Sequence, residues 1–192
     1  MDDNQIPVAV LKKIGAVVCL RVGSGEPAYS FTGFFTGRQG LLLTVAREVS
    51  GHEVVRVLSA KGVAAEGRIL KLDLENDLAV IKVQGYQGAS ISLEDDRSKV
   101  HIGGPVFGFG CREDQGATPL RGTINGPVRR VGKFPFWQMS MELVPGSSGA
   151  PVFDSEGYFL GVVKGSYLGT KNVGLLIPAD TVVRFMSSLG LE

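Results

Sequence analysis

Short runs of β-branched and aromatic residues, cut by glycine-bearing turns, constrain this chain more than any other feature. Val17–Val22, Phe31–Phe35, Leu41–Val45, Val54–Ser59, Ala64–Asp73 and Leu78–Val83 form a first set of expected strands. Pro105–Gly110, Leu120–Gly126, Trp137–Met141, Ala150–Phe153, Phe159–Val163 and Gly174–Ile177 form a second. Strands this short and this regularly interrupted predict an all-β sandwich or barrel. Among the 27 glycines, Gly37, Gly62, Gly67, Gly157 and Gly169 sit where turns need positive φ or a close backbone approach. One helix closes the chain. It starts N-cap-like at Pro178-Ala179-Asp180 and spaces Val182, Phe185, Met186 and Leu189 along one apolar face. A shorter helical turn is expected at Ala46–Val49.

The 33–43 segment reads as an apolar pair, a polar turn and an apolar run, and the 150–161 segment repeats that order. Two such hairpins suggest a duplicated barrel, with a linker in the charged stretch Leu93–Lys99. The expected organisation is one domain over 1–192, with lobes of about 8–95 and about 96–192.

With 20 Lys+Arg against 19 Asp+Glu, the net charge of +1 gives no basic footprint for nucleic acid. An apolar fraction of 44% sets the chain apart from disordered sequences. No apolar run approaches the roughly 20 residues of a membrane-spanning helix. Met1-Asp2-Asp3-Asn4-Gln5 lacks the basic and apolar regions of a signal peptide. Met1 and the closing Leu191-Glu192 read as additions to an excised domain, which leaves the compartment open. Cys19, in the run Ala16–Leu20, is expected as a buried free thiol, and Cys111 at a loop mouth; a disulfide between them stays open. Two histidines and no Cys-x-x-Cys spacing predict no metal site, and no cofactor is expected.

The most informative stretch is Pro145-Gly146-Ser147-Ser148-Gly149-Ala150-Pro151-Val152. It resembles the nucleophile loop Gly-Asn-Ser-Gly-Gly-Pro of trypsin-like serine proteases, particularly the HtrA group. Further segments follow the same group in order: Thr32-Gly33-Phe34-Phe35, Asp77-Leu78-Ala79-Val80-Ile81-Lys82, Arg121-Gly122-Thr123-Ile124 and Leu176–Val182. The resemblance implies two six-stranded antiparallel Greek-key β-barrels with a short C-terminal helix. It implies Ser148 as nucleophile, Asp77 as the triad carboxylate, and the backbone N–H groups of Gly146 and Ser148 as oxyanion donors. It also implies oligomers, a following PDZ domain in many relatives, and a periplasmic, membrane-anchored or extracytoplasmic setting.

The departure falls at the general base. Where the family reads Thr-x-Ala-His-Val-Val, this chain reads Thr44-Val45-Ala46-Arg47-Glu48-Val49. Histidine accepts the serine proton because its pKa is about 6.5. Guanidinium stays protonated and has no acceptor site. Two roles for Arg47 stay open: a charge-assisted pair with Asp77, or a swing to solvent beside Glu48. A substituted base at His52, His101 or Lys164 is the enzymatic alternative.

For substrate binding, Glu142 stands six residues before Ser148, where a pocket floor is expected, with an ordinary solvent-facing strand residue as the other reading. Val163, Lys164 and Gly165 lie on a strand that would pair with an extended peptide. The expectation is therefore a serine protease homologue without catalysis, binding a peptide or protein partner through the old cleft. A scaffold with no peptide site is the third reading.

Overall fold

The computed structural model describes residues 5–23, 29–37, 39–58, 64–93, 100–112, 115–131, 134–167, 170 and 172–190. The turn glycines Gly62 and Gly169, the linker residues 94–99 and the closing Leu191-Glu192 lie outside these. A one-turn helix α1 (Val8–Leu11) and a 3-10 turn at Ile14–Ala16, neither expected from periodicity, lead into the first strand.

The first six strands are β1 (Val17–Arg21), β2 (Phe31–Thr36), β3 (Leu41–Thr44), β4 (Val54–Leu58), β5 (Ala64–Asp73) and β6 (Leu78–Val83). They close antiparallel in the order β1-β2-β3-β6-β5-β4. One-turn helix α2 (Ala46–Val49) stands between β3 and β4. The second barrel comprises β7 (Pro105–Arg112), β8 (Gly116–Val131), β9 (Phe134–Met141), β10 (Pro151–Phe153), β11 (Phe159–Ser166) and β12 (Gly174–Pro178). Its order, β10-β11-β12-β9-β8-β7, is the same path around the ring as in the first. Closure removes the exposed edges that open sheets of this length would carry.

The barrels are a topological repeat, but the two echoing hairpins are not equivalent within it. The first is β2–β3 and the second is β10–β11, whose counterpart in the first barrel is β4–β5. The echo reflects a shared demand for a tight turn, met at Gly37 (φ +64°) and Gly157 (φ +85°).

Strand alternation explains why so many runs are apolar on both faces. Val18, Leu20, Leu42, Ala79 and Ile81 fill the first barrel. Their alternating neighbours Val17, Leu43, Leu78 and Val80 point out into a second core shared with Phe107, Phe109, Phe153 and Phe159. This shared core docks one barrel on the other. Helix α3 (Ala179–Ser187) joins it through Val182 and Phe185. The N-cap is Pro178, without a side-chain cap, and Asp180 falls inside the first turn, where it faces the positive end of the helix dipole.

The two cysteines correct the expectation of a buried free thiol at Cys19. Cys19 and Cys111 form a disulfide across 92 residues, with Cα atoms 5.1 Å apart. Cys19 shares the outward face of β1 with Val17, and Cys111 continues the Phe107, Phe109 face of β7. Docking of the barrels therefore brings together two thiols that the sequence holds far apart. Cys111 is a buried strand residue, not part of a loop mouth. Among the described residues, no helix is long and apolar enough to cross a membrane.

Candidate active site

Asp77 opens β6 from a turn in which Asn76 donates twice to the Asp73 carboxylate, at 2.9 and 2.7 Å. Asp77 has φ +57°, a left-handed conformation that Asp tolerates better than most residues. It is 3% exposed, so its charge requires partners. Three N–H donors supply them. The backbone N–H of Arg47 donates to Oδ1 at 2.9 Å. The Arg47 guanidinium donates through Nη1 to Oδ2, and Lys164 Nζ donates to the same oxygen at 3.1 Å. Lys164 also lies 5.1 Å from the centroid of the Phe136 ring.

Of the two roles open to Arg47, the structure has the pair with Asp77. Glu48 is an outer neighbour, its Oε1 3.6 Å from Arg47 Nε. Tyr29 hydroxyl donates to the same carboxylate through Oε2. That bond, burial and the Glu48 charge together push the Tyr29 phenol up to about 12. Arg47 then reaches across the cleft. Its Nη2 donates to Ser148 Oγ at 3.0 Å and to the Lys164 carbonyl. Gly165 makes room for this: a Cβ there would stand 3.0 Å from Nη2.

The Ser148 loop is held from the first barrel by Thr32, which is fully buried. Its N–H donates to the Ser148 carbonyl at 2.9 Å, and its Oγ1 donates to the Gly146 carbonyl at 2.5 Å. Oγ1 also accepts the Cys111 N–H at 2.7 Å, while the Thr32 carbonyl accepts from Thr44 Oγ1 at 2.7 Å. Every polar group of Thr32 is thus used. A hydroxyl between Phe31 and Gly33 in an apolar strand was the one sequence signal for this role. Gly149 has φ +86°, and a side chain there would run into the Thr32 carbonyl.

Within the loop, Ser147, Gly149 and Ala150 donate their N–H groups to Val144, Val163 and Ser147 carbonyls at 3.0, 2.9 and 3.0 Å. The N–H groups of Gly146 and Ser148 donate to no protein acceptor among the described residues. Both residues line an open cavity of about 280 Å³ with Leu143, Val144, Pro145, Ser147, Gly165 and Ser166.

The expected substrate residues divide. Glu142 is exposed and is not part of the cavity lining, because it lies just beyond the end of β9 at Met141; the chain turns inward only from Leu143. Val163 gives both backbone groups to the Ser148 loop, through Gly149 and Ala150, and has none for a peptide. Lys164 and Gly165 lie past the last residue pair of β10 with β11 (Pro151↔Val162), where β11 keeps β12 as its strand partner. Of the alternative bases, Lys164 spends its ammonium on Asp77. His52 and His101 are exposed, and neither hydrogen-bonds Asp77 or Ser148. Among the described residues no group of His, Cys, Asp and Glu is arranged to hold a metal ion.

Two docked barrels, with a serine loop and a buried aspartate facing each other across the cleft, fit one known architecture. The profile of the trypsin-like peptidase domain matches residues 31–162. The chain belongs to that family. It is 25% identical over 176 residues to a probable periplasmic serine endoprotease, DegP-like, of Brucella suis, covering 88% of this chain and 34% of that protein. The human serine protease HTRA4 is 26% identical over 168 residues, covering 84% and 35%. The chain therefore spans about a third of the length of these relatives. Among solved structures, a serine endoprotease of Yersinia pestis superposes with a TM-score of 0.82 at 24% identity, covering 94% of this chain and 65% of that one. A protease of M. tuberculosis in its active form superposes with 0.83 at 21% identity, covering 96% and 85%. These superpositions establish the shared fold.

Proposed function

We propose that this trypsin-like domain is a serine protease homologue that does not catalyse peptide hydrolysis and binds a peptide or protein segment in the cleft between its barrels. One observation carries the reading: the group that reaches Ser148 Oγ from the general-base position is the Arg47 guanidinium, at 3.0 Å. A serine nucleophile must give its proton to a base, and here its oxygen accepts a hydrogen bond instead. Guanidinium has no lone pair to receive a proton. Loss of the catalytic histidine lowers turnover by roughly 10⁶-fold in a serine protease where it has been measured.

The cleft itself is kept. The loop is pinned by Thr32, the cavity beside Ser148 is open, and the Gly165–Ser166 stretch that lines it, past the last pair of β11 with β10, is where an extended segment would add as a strand. The disulfide suits an oxidising compartment, as does the word periplasmic in the names of several relatives.

The test is labelling of the natural chain and of Ser148→Ala by a fluorophosphonate serine probe, with unfolded casein as substrate. The reading expects neither labelling nor cleavage. Labelling and cleavage by the natural chain that vanish in Ser148→Ala would identify an active serine endopeptidase with another proton acceptor.

A further inference from the structure

We infer that the cleft receives the free C-terminus of a peptide, its carboxylate against the N–H groups of Gly146 and Ser148 and the Ser148 hydroxyl. The last side chain occupies the neighbouring cavity. This deepens the non-catalytic reading above and rests on it.

The donor inventory leads to a carboxylate. Ser148 Oγ accepts from Arg47 Nη2 at 3.0 Å, so its own proton is free to point elsewhere. In the 146–150 loop the N–H groups of Ser147, Gly149 and Ala150 have carbonyl acceptors, and those of Gly146 and Ser148 have none among the described residues. Two backbone donors and one hydroxyl donor on neighbouring atoms form a receptor for two oxygens. A C-terminal carboxylate has two oxygens and a full charge, and backbone nests of this kind capture chain ends.

Charge then selects the acid over an internal amide. Arg47 places a permanent cation next to Ser148 Oγ, where a protease carries a neutral imidazole. The nearby carboxylates are already occupied. Asp77 is paired with Arg47 and Lys164, and Glu48 with the Tyr29 hydroxyl and Arg47. The Arg47 side chain is 40% exposed, so its charge is felt in the cleft.

The cavity beside these donors, about 280 Å³, is lined by Leu143, Val144 and Pro145. These three residues give it one apolar side, and its size fits one small aliphatic side chain against that side. Gly165 and Ser166 line the same cavity, past the last pair of β11 with β10, and border the preceding residue of the peptide.

The experiment measures fluorescence anisotropy of a dye-labelled hexapeptide ending in valine, as the free acid and as the C-terminal amide, on the natural protein. The acid is expected to bind at least tenfold tighter, the scale of a few charge-assisted hydrogen bonds. Arg47→Gln should lower the acid-to-amide ratio, leaving the part that the Gly146 and Ser148 donors supply, and Arg47→Lys should keep more of it. Equal binding of acid and amide by the natural protein, or binding of neither, overturns the inference while leaving the non-catalytic reading standing. Cleavage of the peptide, read by mass spectrometry of the same samples, overturns that reading and this inference with it.

Discussion

Replacing Arg47 by histidine tests how much of a protease is still built. An imidazole at position 47 would place its two nitrogens where Nη1 meets Asp77 and Nη2 meets Ser148. The backbone N–H of residue 47 would go on holding Asp77 Oδ1. Restoring the base opens a ceiling of about 10⁶-fold in turnover. Lys164 keeps the variant below it. Its ammonium is 3.1 Å from Asp77 Oδ2, the oxygen that must orient the imidazole and balance the imidazolium formed in the transition state. A cation about 6 Å from that imidazolium, at an effective dielectric near 20, opposes it by about 3 kcal/mol, or about 100-fold in rate. Arg47→His alone is therefore expected to gain fluorophosphonate labelling slowly. Arg47→His with Lys164→Ser should label up to about 100-fold faster. The pH profile adds a second readout. Labelling should rise with pH through the imidazole pKa, and removing Lys164 should move that limb upward, because a neighbouring cation disfavours imidazolium. The assay is the second-order rate of labelling from pH 5 to 9, with Ser148→Ala as blank. Equal rates and an unmoved limb in the two variants would refute the reasoning about Lys164. If neither variant labels, the Gly146–Ser148 loop is not an oxyanion site.

The remaining predictions concern stability and titration. Cys19→Ser with Cys111→Ser should lower the unfolding free energy by about 4–5 kcal/mol, since the disulfide closes a long loop. Guanidinium titration of the double variant against the natural chain checks this, and a change below about 1 kcal/mol would contradict it. Tyr29 should titrate near 12 in an absorbance titration at alkaline pH, and Glu48→Gln should return it toward the ordinary tyrosine value near 10. The sign for stability follows. The folded chain holds this proton more tightly than the unfolded one, so the contribution is full below pH 10. It falls as pH rises from about 10 to about 12.

The turn around Ser148 was legible because a tight turn has a local signature. Gly146-Ser147-Ser148-Gly149 needs glycines at positive φ, and both glycines have it, at +97° and +86°. Arg47 and Asp77 could be paired on paper because an arginine in place of histidine still owes a buried carboxylate a partner. The second cation on Asp77 could not. Lys164 is 87 residues away in sequence, on β11 of the other barrel, and reaches Oδ2 only because barrel docking brings it to the turn that precedes β6. Glu142, open in sequence between a pocket floor and a solvent-facing residue, is exposed, for a related reason. Counting back from Ser148 gives a position in sequence, but the end of β9 decides which residue turns toward the cavity, and that is Leu143.

Alternation of side chains along a strand is a property of the local chain, so the sequence alone determined the strands, most of their ends, the closing helix and the loop around Ser148. It also determined that no proton acceptor stands at position 47. Only the tertiary structure decided the Cys19–Cys111 bond, the anchoring of the Ser148 loop by Thr32, and the reach of Arg47 to Ser148. Each of these joins one barrel to the other. Their geometry depends on how two apolar faces pack, a relation that no spacing within either half encodes.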